Sequence, residues 1–307
     1  MFYAHKLRDL TLAAPSASGR PAYLAAASSL VVVGSRLYVI ADDELHLGVF
    51  PTHGDGEGTL IRLLDGQLPD GEKKRKRRKP DFEAQVRLPE FAKYPHGALL
   101  ALGSGSRGNR STGVLLALNA KGSIAGTPRV LDLSKLFAPI DKAFDELNIE
   151  GAIVFGQYLV LLQRGNKGDV GNALVSLDLH AFLRAIECDD RPDSLLFTVT
   201  PVDLGSIEGI PWGFTDASVL SDGRIAFTAV AENTSNAFDD GPCIAAAVGI
   251  LSRTAQVERF EPLSPTLKAE GLHATLTGDH IHVLLVTDDD DPTKPAGLWE
   301  SEMGGGE

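Results

Sequence analysis

The chain is short of cysteine, of long apolar runs and, outside one segment, of positive charge. Only Cys188 and Cys243 occur in 307 residues. They lie far apart and in no metal-ligand spacing, which argues against a disulfide framework or a zinc ribbon and leaves two reduced structural thiols as the expectation. No apolar stretch approaches the roughly 18 residues that a membrane span needs; runs such as Leu30 to Val33 and Ile244 to Ile250 suit buried strands. The first 14 residues carry Lys6, Arg8 and Asp9 and no apolar segment, so they do not read as a secretory leader, and a cytoplasmic location is expected. Familiar catalytic signatures are also missing: there is no nucleophile elbow, Walker loop, dinucleotide fingerprint or zinc-protease helix.

Basic residues are concentrated in one place, because Lys73 to Lys79 is an unbroken run of seven cations. Taking those seven from the 29 basic residues leaves 22 against 41 acidic ones, in a chain of net charge −12. A body this acidic disfavours nucleic acid and anionic membrane as partners. The run itself has the composition of a nucleic-acid patch. It is read instead as a solvated loop whose cations stand near Pro80-Asp81-Phe82-Glu83.

What the chain has in quantity is turn punctuation. Val-Gly-Ser-Arg at 33–36, Phe-Gly-Gln-Tyr at 155–158, Ser-Asp-Gly-Arg at 221–224 and Thr-Gly-Asp-His at 277–280 each separate short runs rich in Val, Ile, Leu, Phe and Tyr, the pattern of a β-hairpin. Two segments have helical spacing instead: Leu136 to Leu147, with Ser134 as a possible N-cap, and Asp178 to Glu187.

Aligned on these turns, the chain repeats. Before each hairpin stand Ser28, Glu83, Glu150, Asp216 and Glu270, spaced 55, 67, 66 and 54 residues apart and each followed by a small residue: Ser29, Ala84, Gly151, Ala217 and Gly271. After each hairpin stand Asp42, Arg107, Arg164, Glu232 and Asp288. Residues equidistant from a turn face each other, so every unit brings two polar residues to the open end of its first hairpin. The unit at Asp216 fits this geometry worst and is expected to carry a bulge. Five units of this kind predict a single all-β domain over 1–307, a β-propeller of five blades in preference to six, with the two short helices in inter-blade loops. The last unit lacks a fourth strand, which residues 5–12 are expected to supply, closing the ring.

The first strand of each blade lines the channel, so the polar ends converge on one mouth. The expected metal-ligating set is Glu83, Glu150, Asp216, Glu232, Glu270 and Asp288, and the expected ligand-contacting set is Asp42, Arg107, Arg164 and Asp289. Converging carboxylates repel unless a cation lies among them or some are protonated, and Ca²⁺ tolerates irregular oxygen cages best. Arg107 and Arg164 would either pair with Glu83 and Glu150 or hold an anionic group. Asp288 to Asp291 lacks the full pattern of a calcium loop, and Gly103-Ser104-Gly105-Ser106 is not followed by the helix a phosphate cradle needs. His273 and His282 read as packed or solvated histidines rather than zinc ligands.

The segments Leu147-Asn148-Ile149-Glu150-Gly151-Ala152 to Leu162-Gln163-Arg164-Gly165, and Lys268-Ala269-Glu270-Gly271-Leu272 to Val286-Thr287-Asp288-Asp289-Asp290, resemble those of bacterial phytase-like propellers, a broad group with esterase-like members. Asp81-Phe82-Glu83-Ala84 is a weaker echo. The resemblance implies a propeller with calcium at its channel mouth. The chain departs from it at Ser28, which replaces an acid, and at the two blades that end in Arg. Two functions follow. The favoured one is a non-catalytic propeller that binds a small anionic or polar ligand, or a protein, at the mouth. The alternative is a calcium-dependent hydrolase of a phosphate ester or lactone-like molecule, with Glu150 or Glu270 as base and Arg164 stabilising the anion.

Overall fold

The first four repeats each form a four-stranded antiparallel sheet, the fifth supplies three strands of another, and these five sheets stand around a central axis. The computed structural model describes residues 2–165, 171–191, 193–233 and 241–304. The inner strands are Ala27–Val33, Phe82–Leu88, Ile149–Phe155, Gly213–Val219 and Ala269–Thr277. They contact one another in ring order, blade one to five and back to one.

Side chains alternate along a strand, and here both faces are covered, so the central strands read as continuous apolar runs. In Arg36–Ala41 of blade one, Leu37, Val39 and Ala41 pack towards blade five, while Tyr38 and Ile40 pack towards blade two. In Tyr158–Gln163 of blade three, Leu159 and Leu161 face blade two, while Val160 and Leu162 face blade four. The apolar core accordingly falls into five clusters, one at each junction between neighbouring blades. Outer strands such as Thr59–Arg62 and Phe197–Val202 are mostly exposed or half-buried.

The N-terminal segment closes the ring as the sequence implies. His5–Asp9 pairs antiparallel with Gly297–Met303 as the fourth strand of blade five, and Thr11 and Leu12 continue as isolated bridges. Phe2–Tyr3 goes further and adds a fifth, parallel strand to blade four beside Val257–Ser264. One short segment thus ties two blades together.

Among the described residues, three α-helices lie between strands. Helix α1 is Glu72–Arg78, α2 is Ser134–Asp141 and α3 is Leu179–Cys188. The last two correspond to the expected helices. In α2, Ser134 is not the cap: Leu133 takes the cap position, and the Asp132 carboxylate accepts the Ser134 N–H at 3.0 Å. The helix stops at Asp141 rather than Leu147, and Pro139, which has no N–H for the ladder, lies within it. Leu147 still joins the same apolar cluster.

The first helix corrects the reading of Lys73–Lys79 as a solvated loop. Lys and Arg are good helix formers, and the run folds as α1 because two of its cations have acidic partners. Arg75 is buried, donating to the Asp43 carbonyl at 2.9 Å and to the Pro69 carbonyl at 3.1 Å. Lys79, the C-cap residue, is buried as well. Lys73, Lys74, Arg77 and Arg78 remain exposed.

Candidate functional site at the channel mouth

All five inner strands carry a register shift near their first residues, not the fourth alone. The residues left without a ladder partner are Ser28, Glu83, Glu150, Thr215 and Glu270. A bulge re-aims the extra side chain and bends the strand, so the polar position of the repeat is built by backbone geometry. Ser28, Glu83, Glu150 and Glu270 are hairpin-entry positions of the sequence repeat. In blade four the bulged residue is Thr215, and Asp216 falls one step further on, where the other blades have Ser29, Ala84, Gly151 and Gly271.

Those residues are small because the inner strands nearly touch. A Cβ on Gly151 would stand 3.2 Å from Asp216 Cα, and one on Gly271 would stand 2.9 Å from Ser29 Cα. Asp216 fills the space this leaves. Its carboxylate accepts from the Ser29 hydroxyl at 2.9 Å, the Leu272 N–H at 3.0 Å and the Ala217 N–H at 2.8 Å, so it joins blades one, four and five. Burial pushes its pKa well up, and the donors around it pull the other way. Every partner is a donor of this chain, which makes Asp216 a cross-channel staple rather than part of the mouth.

At the mouth, acids and bases form two linked groups. In the first, Lys79 contacts Asp42 and lies 2.9 Å from Asp81. Arg110 meets the other side of Asp81 at 2.6 Å, and the Ser104 hydroxyl donates to it at 2.6 Å. Asp42, Asp81 and Glu83 offer carboxylate oxygens that, as they stand, lie within 4.8 Å of one another, close enough to hold a metal ion. In the second group, Arg164 donates to Glu232 at 2.6 Å and lies 3.6 Å from Glu150, which also accepts from Asn148 at 2.5 Å. Lys268 bridges Glu232 at 2.9 Å, Glu270 at 3.5 Å and Asp290 at 2.7 Å.

The electrostatics follow from burial and imbalance. Asp42, Asp81, Glu83, Glu150, Glu232, Glu270 and Asp288 outnumber Lys79, Arg110, Arg164 and Lys268. Burial, aided by Asp81 and Asp42, holds the Glu83 carboxyl well above the usual range. Burial also lifts Glu270 well up and raises Glu150, against the pull of Lys268 and Arg164 respectively. It brings Asp42 to about 6 against Lys79, and Asp288 to about 8 against Lys268. Asp81 goes down despite burial, because Lys79 and Arg110 outweigh it. Lys79 and Lys268 rise despite burial, held by Asp42 and by Glu270.

These directions set the pH dependence of stability. A carboxyl raised on folding contributes stability that is complete below its unfolded value of about 4 and is lost as pH rises through the folded value. For Asp42 and Asp288 the loss therefore spans about pH 4 to 8. The melting temperature at pH 6 is expected to exceed that at pH 9, and Asp288→Asn should flatten the part of the slope between them. A flat profile, or an unchanged slope in Asp288→Asn, would contradict the assignment.

The structure brings Glu83, Glu150, Glu232, Glu270, Asp288, Asp42 and Arg164 of the expected set to the mouth. It puts Asp216 in the channel wall, leaves Arg107 exposed, and places the exposed Asp289 near Lys294 at 4.0 Å. The exit position is set by a backbone bond to the residue two before the bulge: Asp42 N–H to Ala26, Ser104 to Asp81, Arg164 to Asn148, Asp288 to Lys268. Blade two's counterpart of Asp42 is thus Ser104, three residues before Arg107. Asp81, Arg110 and Lys268 are mouth residues that the repeat alone did not find. Two of them had a signal, because Asp81 and Lys268 are charged residues two positions before Glu83 and Glu270 in the repeat.

The profile of a family described as a family of unknown function (DUF6929) matches residues 23–303. The chain belongs to that family. No curated protein matches its sequence. The α-L-arabinofuranosidase of Podospora anserina, solved in complex with cellotriose, is 11% identical, with 99% of this chain and 97% of that one covered and a TM-score of 0.51. An α-L-arabinofuranosidase of Fusarium graminearum, solved with an iminosugar inhibitor, is 10% identical over 97% and 98%, with a TM-score of 0.45. The WD40 β-propeller domain of Doa1 is 10% identical over 92% and 94%, with a TM-score of 0.36. At such identities the likeness to the Podospora enzyme is one of fold, and the phytase-like group does not enter the identification.

Proposed function

We propose that the channel mouth of this DUF6929 protein is a non-catalytic site for a small organic molecule carrying an ammonium group or several hydroxyls. The observation that carries this reading is Lys79, whose ammonium stands among Asp42 and Asp81 where a metal would have to sit. A resident Ca²⁺ needs six to eight oxygen ligands, and of Asp42, Asp81 and Glu83 the first two already have a carboxylate oxygen turned to a lysine. The residues do not fit the calcium that the phytase-like resemblance implies. The remaining excess of carboxyls, several held protonated by burial, disfavours an anionic ligand. It favours one that donates hydrogen bonds or positive charge. A depression of about 440 Å³ lined by Cys243, Lys268, Asp288 and Asp290 gives such a molecule an approach between blades four and five.

The test is calorimetric titration of the full chain with small amines and polyols, in two buffers of different ionisation heat. Binding of an amine should release protons, since the entering charge lowers the pKa of raised carboxyls such as Glu83 and Asp288. Glu83→Gln and Glu270→Gln should weaken binding by about tenfold or more, the cost of a lost charge-assisted bond. Binding that ignores both substitutions would refute the site.

One observation favours a second reading, a hydrolase. Glu150 and Glu270 are raised carboxyls facing one guanidinium, Arg164, an arrangement that suits a general acid beside an anion stabiliser. Turnover of a phosphate monoester or a lactone that disappears in Glu150→Gln would select it over simple binding.

A further inference from the structure

The end of blade five away from the mouth carries a separate cluster. His282 lies directly opposite Glu302 across adjacent strands, and His280, two residues earlier, shares the same face. Both imidazoles turn Nδ1 to the one carboxylate: His280 contacts Glu302 Oε1, and His282 lies 3.4 Å from Oε2. The rings are 6.4 Å apart and nearly parallel, at 24°. His280 Nε2 lies 3.4 Å from the Asp279 carboxylate. The three side chains are about half-exposed, so ions reach them. His282 and Glu302 also line a groove of about 740 Å³ whose walls include His5, His53, His273 and Glu300.

We propose that His280, His282 and Glu302 bind a divalent transition-metal ion of the zinc or nickel class. Neutral imidazole nitrogens with one carboxylate are the donors such ions take, whereas calcium and magnesium prefer oxygen alone. The ladder fixes the backbone spacing of all three donors, so only side-chain rotation is needed to close on an ion. Asp279 supplies the outer carboxylate that typically orients a ligating histidine through its second nitrogen. Imidazole binds a metal only through an unprotonated nitrogen, so the ion competes with protons and binding weakens at low pH. Three protein donors leave a position open towards the groove, where water or a further ligand completes the shell.

The experiment is calorimetric titration of chelator-stripped full-length protein with Zn²⁺ alone and with Ni²⁺ alone. One ion per chain is expected. His282→Ala and Glu302→Gln should each weaken binding by more than about tenfold, the loss that removal of even an outer partner causes, with unchanged melting temperature in the absence of metal. Glu270→Gln, at the mouth, should bind Zn²⁺ like the parent. Absence of binding at about 100 μM free Zn²⁺, roughly two decades above a micromolar site, would overturn the proposal. So would binding that survives His282→Ala and Glu302→Gln, or binding lost in Glu270→Gln.

Discussion

Replacing Arg164 by Met is expected to destabilise the protein by about 3–5 kcal/mol, the cost of breaking a buried ion pair from one side. Arg164 is buried, and its guanidinium holds Glu232 at 2.6 Å and Glu150 at 3.6 Å. Methionine keeps much of the volume and removes all of the charge, which leaves Lys268 to compensate Glu150, Glu232, Glu270 and Asp290. The loss should be smaller at pH 5 than at pH 8, because Glu150 and Glu270 are already raised and protonate first. Chemical denaturation of parent and variant at the two pH values measures both effects. A loss below about 1 kcal/mol, typical of exposed pairs, would mean that the second charge group is solvated and does not hold the mouth together.

The second large effect is expected in Lys79→Met. Lys79 is the nearest cation to Asp42 and one of two on Asp81. Without it Asp42, Asp81 and Glu83 face each other with Arg110 alone, and a loss of about 3 kcal/mol or more follows from the uncompensated charge. Changing Lys73, Lys74, Arg77 and Arg78 to Gln should cost little, within about 0.5 kcal/mol for each exposed position. The contrast separates two populations in a sequence run that looks uniform. Equal losses in the two variants would show that the helix itself, and not the inward ammonium, is what matters.

The fold was legible in the sequence because the repeat is written twice. Short continuous apolar runs on either side of a turn mark the hairpins, and an acid followed by a small residue marks the entry to most blades. The reason for the small residue emerges only from the close approach of the inner strands at Gly151 and Gly271. The bulges were far less legible, since an extra residue in a strand has no chemical mark of its own. Blade four shows the consequence: Asp216-Ala217 imitates the acid-small pair, while the true bulge, Thr215, is neutral and donates to the Ala269 carbonyl at 2.7 Å. After the hairpin of blade two the first cation in the sequence is Arg107, whereas the bonded position is Ser104 and the cation that turns inward is Arg110. Counting from the bulge, and adding the residue two before it, recovers Asp81, Asn148 and Lys268. The helix at Glu72–Arg78 was hidden for another reason: like charges at helical spacing argue against a helix, and Asp43 and Asp42, which face Arg75 and Lys79, are distant in sequence.

The site's chemistry turns on whether the chain's own cations or a bound metal neutralise the mouth. The direct measurement is a thermal melt of chelator-stripped parent and Lys79→Met, each with and without millimolar Ca²⁺. An ion at about 100 times its dissociation constant adds about 2.7 kcal/mol to the native state. With Lys79 in place no Ca²⁺-specific shift is predicted, whereas Lys79→Met, which frees the oxygens of Asp42, Asp81 and Glu83, should gain stability from the ion. A Ca²⁺-specific rise in the parent that disappears in Glu83→Gln would contradict the account and make the mouth a metal centre.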